Sequence, residues 1–196
     1  MVTIEKFMPW GELEQRIRET PLLWQGEGDP VYPYENAVIR LESLAYADVR
    51  PTSLYVLRGN LAVQAAIASD LAIQDCHPLE LEGGLLLKNE AGEEVGLVPP
   101  IAEATDDDGT YVLDGAHRTG FGRWQGRTHF MGVRISGIRP DCPGYAFPNS
   151  WDEMRIMEAV PCSTADKKRY RGPNYRSLYR DFSLLNGSKL REVSSS

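Results

Sequence analysis

The chain has 196 residues, of which 42% are hydrophobic and 25% charged, and its formal net charge is −7. This length and composition suit one globular domain with a substantial core, and no apolar run is long enough to span a bilayer. The acidic balance argues against a general nucleic-acid binder, because such proteins carry a basic surface for phosphates. The start, MVTIEKFMPW, lacks the basic and apolar regions of a signal peptide, so we expect a cytoplasmic protein. The three cysteines are widely spaced, and the adjacent Cys76 and His77 have no second cluster to complete a metal site, so the sequence predicts neither a disulfide framework nor a structural zinc site.

The first predicted element is a helix over residues 10–19, in which Leu13 and Ile17 share a face. It ends at Pro21, because proline disfavours the helical conformation of the residue before it. A strand is predicted over residues 37–44. The next helix, over residues 54–73, is rich in alanine and other apolar residues, which indicates burial against a sheet.

The remaining elements are predicted from the same patterns. They are a hairpin over 83–97, a strand over 101–104, a strand over 110–113, a helix over 116–125 capped by Gly126, a strand over 128–138, and a helical tail formed by SWDEMRIMEAV and NYRSLYRDFSLL. The chain therefore divides into an N-terminal helix and loop (1–36), a mixed α/β domain (37–138) and a helical C-terminal extension packing on the same domain (139–196).

The segment YVLDGAHRTGFGRWQG, residues 111–126, predicts a strand, a turn and the start of a helix. The first N–H groups of a helix lack internal partners and carry the positive end of its dipole, so such an end binds phosphate. Gly115 lets the backbone approach an anion, and His117 and Arg118 present a ring N–H and a guanidinium. Asp114 orients His117, accepts a substrate proton or holds Mg²⁺. A purely structural alternative has Asp114 capping the helix, His117 bonded locally and Arg118 paired with an acidic surface residue.

A longer run around this turn, VPPIAEATDDDGTYVLDGAHRTGFGRWQG, resembles the ParB/sulfiredoxin superfamily. Domains of that superfamily share a Pro-Ile strand, a hairpin and a Gly-x-His-Arg turn that leads into a helix. Upstream, VIRLESLAYADVRPTSL is similar to the superfamily's first strand and Arg-Pro turn. The resemblance covers residues 38–136 and implies an α/β (α+β) fold built on a mixed sheet.

Three branches of the superfamily are compared with this chain. Sulfiredoxins place a nucleophilic cysteine directly before the His-Arg pair, where this sequence has Ala116. ParB proteins and related regulators bind CTP or DNA and carry a helix-turn-helix, which is not recognisable in this sequence. Free-amino-acid kinases carry an Asp-Gly-x-His-Arg turn, and residues 114–118 match it residue for residue.

The kinase branch implies phosphoryl transfer from a nucleotide (ATP, or ADP or CTP) to a small hydroxylated metabolite, or nucleotide hydrolysis, with Mg²⁺. It implies that Asp114 and His117 are catalytic and that Asp114 holds the metal. The implied nucleotide-binding residues are Gly115, Ala116, His117, Arg118, Thr119 and Arg50. The kinases also place a catalytic glutamate after the first strand, a position without Glu here, which leaves Glu42 or Asp48 as candidates.

The alternative function is a non-catalytic, nucleotide- or DNA-responsive regulator of the ParB type. Residues 167–180 alternate cations with aromatics, a pattern that could suit nucleic acid. The spacing of Tyr175, Leu178, Tyr179 and Phe182 favours instead the apolar face of a docking helix. Glu103 is a second candidate base on the neighbouring strand. For Arg180, an intramolecular ion pair is favoured over a place in the site. No membrane partner is expected, and the oligomeric state stays open.

Overall fold

The computed structural model describes residues 1–23 and 29–185. Its strands and α-helices follow in this order: β1 (Val2–Met8), α1 (Trp10–Arg18), β2 (Val38–Ala45), β3 (Val49–Pro51), β4 (Tyr55–Leu57), α2 (Arg58–Ala72), β5 (Gly84–Asn89), β6 (Glu94–Leu97), β7 (Ile101–Thr105), β8 (Gly109–Asp114), α3 (Ala116–Trp124), β9 (His129–Ser136), β10 (Ala146–Phe147), β11 (Arg155–Met157) and β12 (Arg169–Tyr170).

The central sheet has five strands in the order β2-β9-β7-β8-β3. The β2–β9 and β7–β8 pairs are antiparallel, whereas β7–β9 and β3–β8 are parallel. The mixed sheet and the α+β class are therefore as predicted. Because β3 and β8 run in parallel, the end of β8 at Asp114 lies next to the chain that leaves β3 at Pro51.

Both faces of this sheet are covered. Ile101 and Ala102 are neighbours on β7 that point to opposite faces, and both are fully buried. Ile101 belongs to a core cluster with Leu13 and Ile17 of α1, as the predicted apolar face of that helix requires. Ala102 belongs to the cluster on the other face, which contains Trp151.

A second, three-stranded sheet has the order β1-β5-β6, and both of its pairs are antiparallel. The β5–β6 hairpin is the one predicted over residues 83–97. Strand β1 was not predicted, so the first 36 residues contain a strand as well as the expected helix and loop.

Helix α2 corrects two predictions. It begins at Arg58 rather than at residue 54, because Tyr55–Leu57 form β4 and pair in parallel with β11. The expected burial is wrong: Leu71 is the buried residue of the helix, and Val63 is 53% exposed. The alanine-rich composition therefore marks a strong helix former rather than a buried face.

The C-terminal extension is not α-helical within its described residues, which corrects the predicted helical tail. It forms short 3-10 turns at Trp151–Glu153, Thr164–Asp166, Tyr175–Leu178 and Phe182–Leu185, together with strands β10, β11 and β12. Residues 155–157 form a strand because their backbone groups pair with β4. The segment does dock by its apolar side chains, since Leu178, Tyr179 and Phe182 pack on the cluster of Tyr111 and Leu113. In the part of the chain that the structure describes, no helix has the length and apolarity needed to cross a membrane.

Candidate phosphate-binding site

The predicted turn lies where β8 ends at Asp114 and α3 begins at Ala116. Gly115 is the N-cap residue and adopts a left-handed conformation with φ = 89°. A Cβ atom at this position would lie 3.0 Å from Cβ and 3.1 Å from Cα of Pro100. Glycine is therefore required at this position for two reasons, the left-handed backbone conformation and the close approach of Pro100.

The N-terminus of α3 carries no side-chain cap, and its first turn contains no acidic residue. Asp114 is exposed, and its carboxylate accepts no hydrogen bond from the described residues. The capping role that the structural alternative gives to this side chain is therefore not observed. The first N–H groups of the helix therefore keep both their donor capacity and the positive end of the dipole. An anion can bind at this end.

His117 is half-buried beside this helix end. Its Nε2 lies 3.2 Å from Nδ2 of Asn60, the first-turn residue of α2. Because an amide Nδ2 donates, Nε2 accepts, and Nδ1 carries the proton of the neutral ring. Burial lowers the pKa of His117, as does Lys168, whereas Asp114 raises it. A neutral His117 offers a hydrogen-bond donor rather than a positive charge.

Arg118 and Thr119 support the turn from inside. Arg118 is only 7% exposed, and its guanidinium donates to the carbonyl oxygen of Val98. Burial lowers the pKa of Arg118 to about 10, against the opposing effect of Asp114. Thr119 is fully buried, and its Oγ1 lies 3.1 Å from the Gly115 carbonyl oxygen. In this state, Arg118 is engaged with the backbone although it borders the cavity described next.

A cavity of about 360 Å³ opens beside the turn. Its walls are residues 113–118, the β3–β4 residues Ser53 and Tyr55, Gln64 of α2, and two residues of the C-terminal extension, Tyr145 and Lys168. The cavity is therefore formed jointly by the central domain and the extension.

Lys168 is the functional candidate that sequence reasoning missed. Its Nζ lies 2.6 Å from the Tyr145 hydroxyl, 3.4 Å from Thr52 Oγ1 and 4.6 Å from the centre of the Tyr145 ring. No carboxylate of the described residues forms an ion pair with it. Burial lowers the pKa of Lys168, partly opposed by Tyr170 and Asp114. Lys168 is half-buried, and Asp114 acts on its charge across the cavity without forming an ion pair, so an anion bound there would give the ammonium a direct partner.

Four of the predicted site residues do not border the cavity: Thr119, which supports the turn from inside, and the more distant Glu42, Asp48 and Arg50. Glu42 is on β2, with one carboxylate oxygen 3.8 Å from the Arg134 guanidinium. Asp48 is exposed in the β2–β3 turn. Arg50 donates to the carbonyl oxygen of Asp108 and borders a separate cavity that also contains Trp151. The structure thus does not bring these three side chains together with Asp114.

Glu103 is fully buried in a hydrogen-bonded cluster away from the cavity. Its Oε1 lies 2.8 Å from Arg180 Nη2 and 2.6 Å from the Tyr34 hydroxyl, and its Oε2 lies 2.9 Å from the Tyr111 hydroxyl. Arg180 therefore forms the favoured intramolecular pair. Because Glu103 is inaccessible, it serves the attachment of the extension to β7 rather than proton transfer.

The model of the ParB CE domain family matches residues 12–156, well over half of the chain. The chain belongs to the ParB CE domain family. This confirms the ParB side of the superfamily resemblance and leaves the kinase branch unsupported by the family match. No curated protein and no solved structure matches the chain significantly.

The cavity has one carboxylate in its walls, that of Asp114. Among residues 1–23 and 29–185, no group of three or more His, Cys, Asp or Glu side chains is arranged to hold a metal ion. Mg²⁺ commonly binds through one or two carboxylates together with substrate phosphates and water. The donor set of this ParB CE domain therefore fits a Mg²⁺ ion that arrives with a phosphorylated ligand, with Asp114 as its protein ligand.

Proposed function

We propose that the cavity binds the phosphates of a nucleotide together with Mg²⁺, and that the protein transfers a phosphoryl group to a small hydroxylated metabolite. The observation that carries this proposal is the half-buried Lys168 ammonium, which forms no ion pair with a carboxylate of the described residues and borders the same cavity as the uncapped N-terminus of α3. Both features favour a bound anion, and they come from parts of the chain that are far apart in sequence.

The residues supply different contributions to phosphate binding. The α3 N–H groups and Nδ1–H of His117 would donate hydrogen bonds to the phosphate, Lys168 would supply a positive charge, and Asp114 would hold the metal. Mg²⁺, when bound, neutralises charge on the phosphate oxygens. Phosphoryl transfer depends on positioning and charge stabilisation more than on covalent chemistry, and donors fixed by a helix and by the backbone bridge between Lys168 and Ser53 meet that need.

Isothermal titration with ATP, ADP and CTP, with and without Mg²⁺, tests the binding. Lys168→Gln is expected to weaken nucleotide binding by about tenfold or more, the equivalent of about 1.4 kcal/mol. Lys167→Gln is the matched control, because it removes the same charge one residue away and Lys167 does not border the cavity. Equal affinities for Lys168→Gln and wild type, or no nucleotide binding at all, would contradict the proposal.

A nucleotide-responsive regulator is the second candidate, and one observation favours it. Glu42 and Asp48 lie outside the cavity, so Asp114 supplies its single carboxylate and must both bind the metal and act as base. Release of ADP from ATP that depends on an added hydroxylated metabolite would establish the enzyme. Tight nucleotide binding without turnover, in the presence of such metabolites, would establish the regulator.

A further inference from the structure

A buried amide oxygen at the cavity has no hydrogen-bond donor among the described residues. Gln64 lies on α2, and its Oε1 is buried and accepts no hydrogen bond from the described residues. A buried acceptor that loses its hydrogen bonds to water on folding is costly unless another donor reaches it. The Gln64 oxygen lacks a hydrogen-bond donor, whereas the Lys168 ammonium lacks an anion bonded to it.

The geometry of α2 explains why Gln64 belongs to the site. Asn60 and Gln64 are four residues apart, so both lie on the same side of the helix. Asn60 contacts His117 and Gln64 borders the cavity. One side of α2 thus faces the α3 turn with two amide groups.

We propose that Gln64 determines which ligand the site accepts, by receiving a hydrogen bond from a hydroxyl or ammonium group on a phosphorylated ligand. The phosphate of that ligand lies against Lys168 and the N-terminus of α3, and its donor group lies against Gln64. The inference rests on the proposed phosphate site. It assigns the small ligand to the class of phosphate esters that carry a hydroxyl or amino group near the phosphate.

The test is a cycle of two esters and two proteins. Glycerol 3-phosphate carries hydroxyl donors, whereas propyl phosphate has a similar size and charge without them. We expect wild type to bind glycerol 3-phosphate about tenfold more tightly than propyl phosphate, the loss expected for one unmet hydrogen bond. In Gln64→Met, which keeps the length of the side chain, we expect this preference to disappear, so that the two esters bind with equal affinity.

Further arms separate the possible outcomes. O-phosphoethanolamine replaces the hydroxyls by an ammonium, so the ester that loses more affinity in Gln64→Met identifies the donor. Lys168→Gln is expected to weaken all the esters alike. A preference that persists in Gln64→Met, or equal binding of the esters by wild type, would overturn the role of Gln64 while the phosphate site stands. If wild type binds neither inorganic phosphate nor any ester, the proposed function fails and the role of Gln64 with it.

Discussion

Gly115 is constrained both by its own backbone conformation and by the packing of Pro100 against it. Its φ of 89° is unfavourable for any residue with a Cβ atom, and Pro100 leaves no space for that atom. Gly126 provides a comparison, because it has φ = 77° but a Cβ there would meet nothing within 4 Å. Substitution of the two glycines by alanine therefore distinguishes the free-energy cost of the backbone conformation from that of the steric clash with Pro100.

Gly115→Ala is expected to lower the free energy of unfolding by about 2–4 kcal/mol, and Gly126→Ala by about 1 kcal/mol. The difference reflects the contact with Pro100, which only the first substitution creates. Urea denaturation of the two variants beside wild type measures it. Equal losses would show that Pro100 moves aside at little cost.

Lys168 predicts a pH dependence of anion binding. Burial lowers its pKa in the free protein, and a bound phosphate would favour the charged form and raise that pKa again. Affinity is therefore highest below the lowered pKa and falls as the pH rises through it. The charge of the phosphate itself changes little above about pH 8, so a decrease in affinity above that pH is expected to come from Lys168.

Titration of inorganic phosphate at increasing pH measures this effect in wild type and in Lys168→Arg. Arginine stays charged over the whole range, so its variant should show a nearly constant affinity. The same decline in both proteins would indicate that another group titrates.

For individual residues, the sequence predicted the turn at 114–118 but not Lys168 and Gln64, which border the cavity beside it. Asp114, Gly115 and His117 are neighbours in the chain, so a local pattern reveals them. Lys168 follows another lysine in a run of cations, and no local signal distinguishes the two. Gln64 lies in a helix whose apolar composition indicated burial, and only the packing of α2 beside α3 shows its place at the cavity.

Among the elements, α2 illustrates where composition misleads. Alanine both forms helices well and counts as apolar, so the pattern could not separate a buried helix from an exposed one. The start at Arg58 was also hidden, because β4 exists through its pairing with β11, about a hundred residues later in the chain. The same pairing explains why the apolar periodicity around Trp151 did not produce a helix.

The exposure of α2 leads to a contrasting pair of substitutions. Val63→Lys is expected to change the free energy of unfolding by less than about 0.5 kcal/mol, because Val63 is 53% exposed. Leu71→Ala is expected to cost about 2–5 kcal/mol, because Leu71 is fully buried with Leu81 and Leu85. Denaturation by urea gives both values. A large loss in Val63→Lys would mean that this side of α2 is covered in solution.

In the whole molecule, the central domain and the extension are joined by the Glu103–Arg180 pair. Arg180 also donates to the carbonyl oxygen of Cys142, at 2.8 Å, so it holds two parts of the extension against β7. Removal of one member leaves the other as a buried, unpaired charge. Tyr145 and Lys168, which border the cavity, belong to the segment between these attachments.

Arg180→Met is therefore expected to lower stability by about 3–5 kcal/mol and also to weaken phosphate binding, although Arg180 does not border the cavity. The double variant Glu103→Leu/Arg180→Met removes both charges and should recover much of the stability. Thermal unfolding and phosphate titration of the three proteins measure these effects. Unchanged affinity in a folded Arg180→Met protein would show that the cavity forms without this attachment.

The residues that the family model matches do not include the whole cavity wall. The match ends at residue 156, whereas Lys168 and Arg180 follow it. A shortened version trimmed to the matched residues would keep the Asp114 turn but lose the ammonium opposite it, and Glu103 would be left without its cation. Relatives that share the matched part can therefore carry the same signature and yet differ in what they bind, according to the chain that follows it.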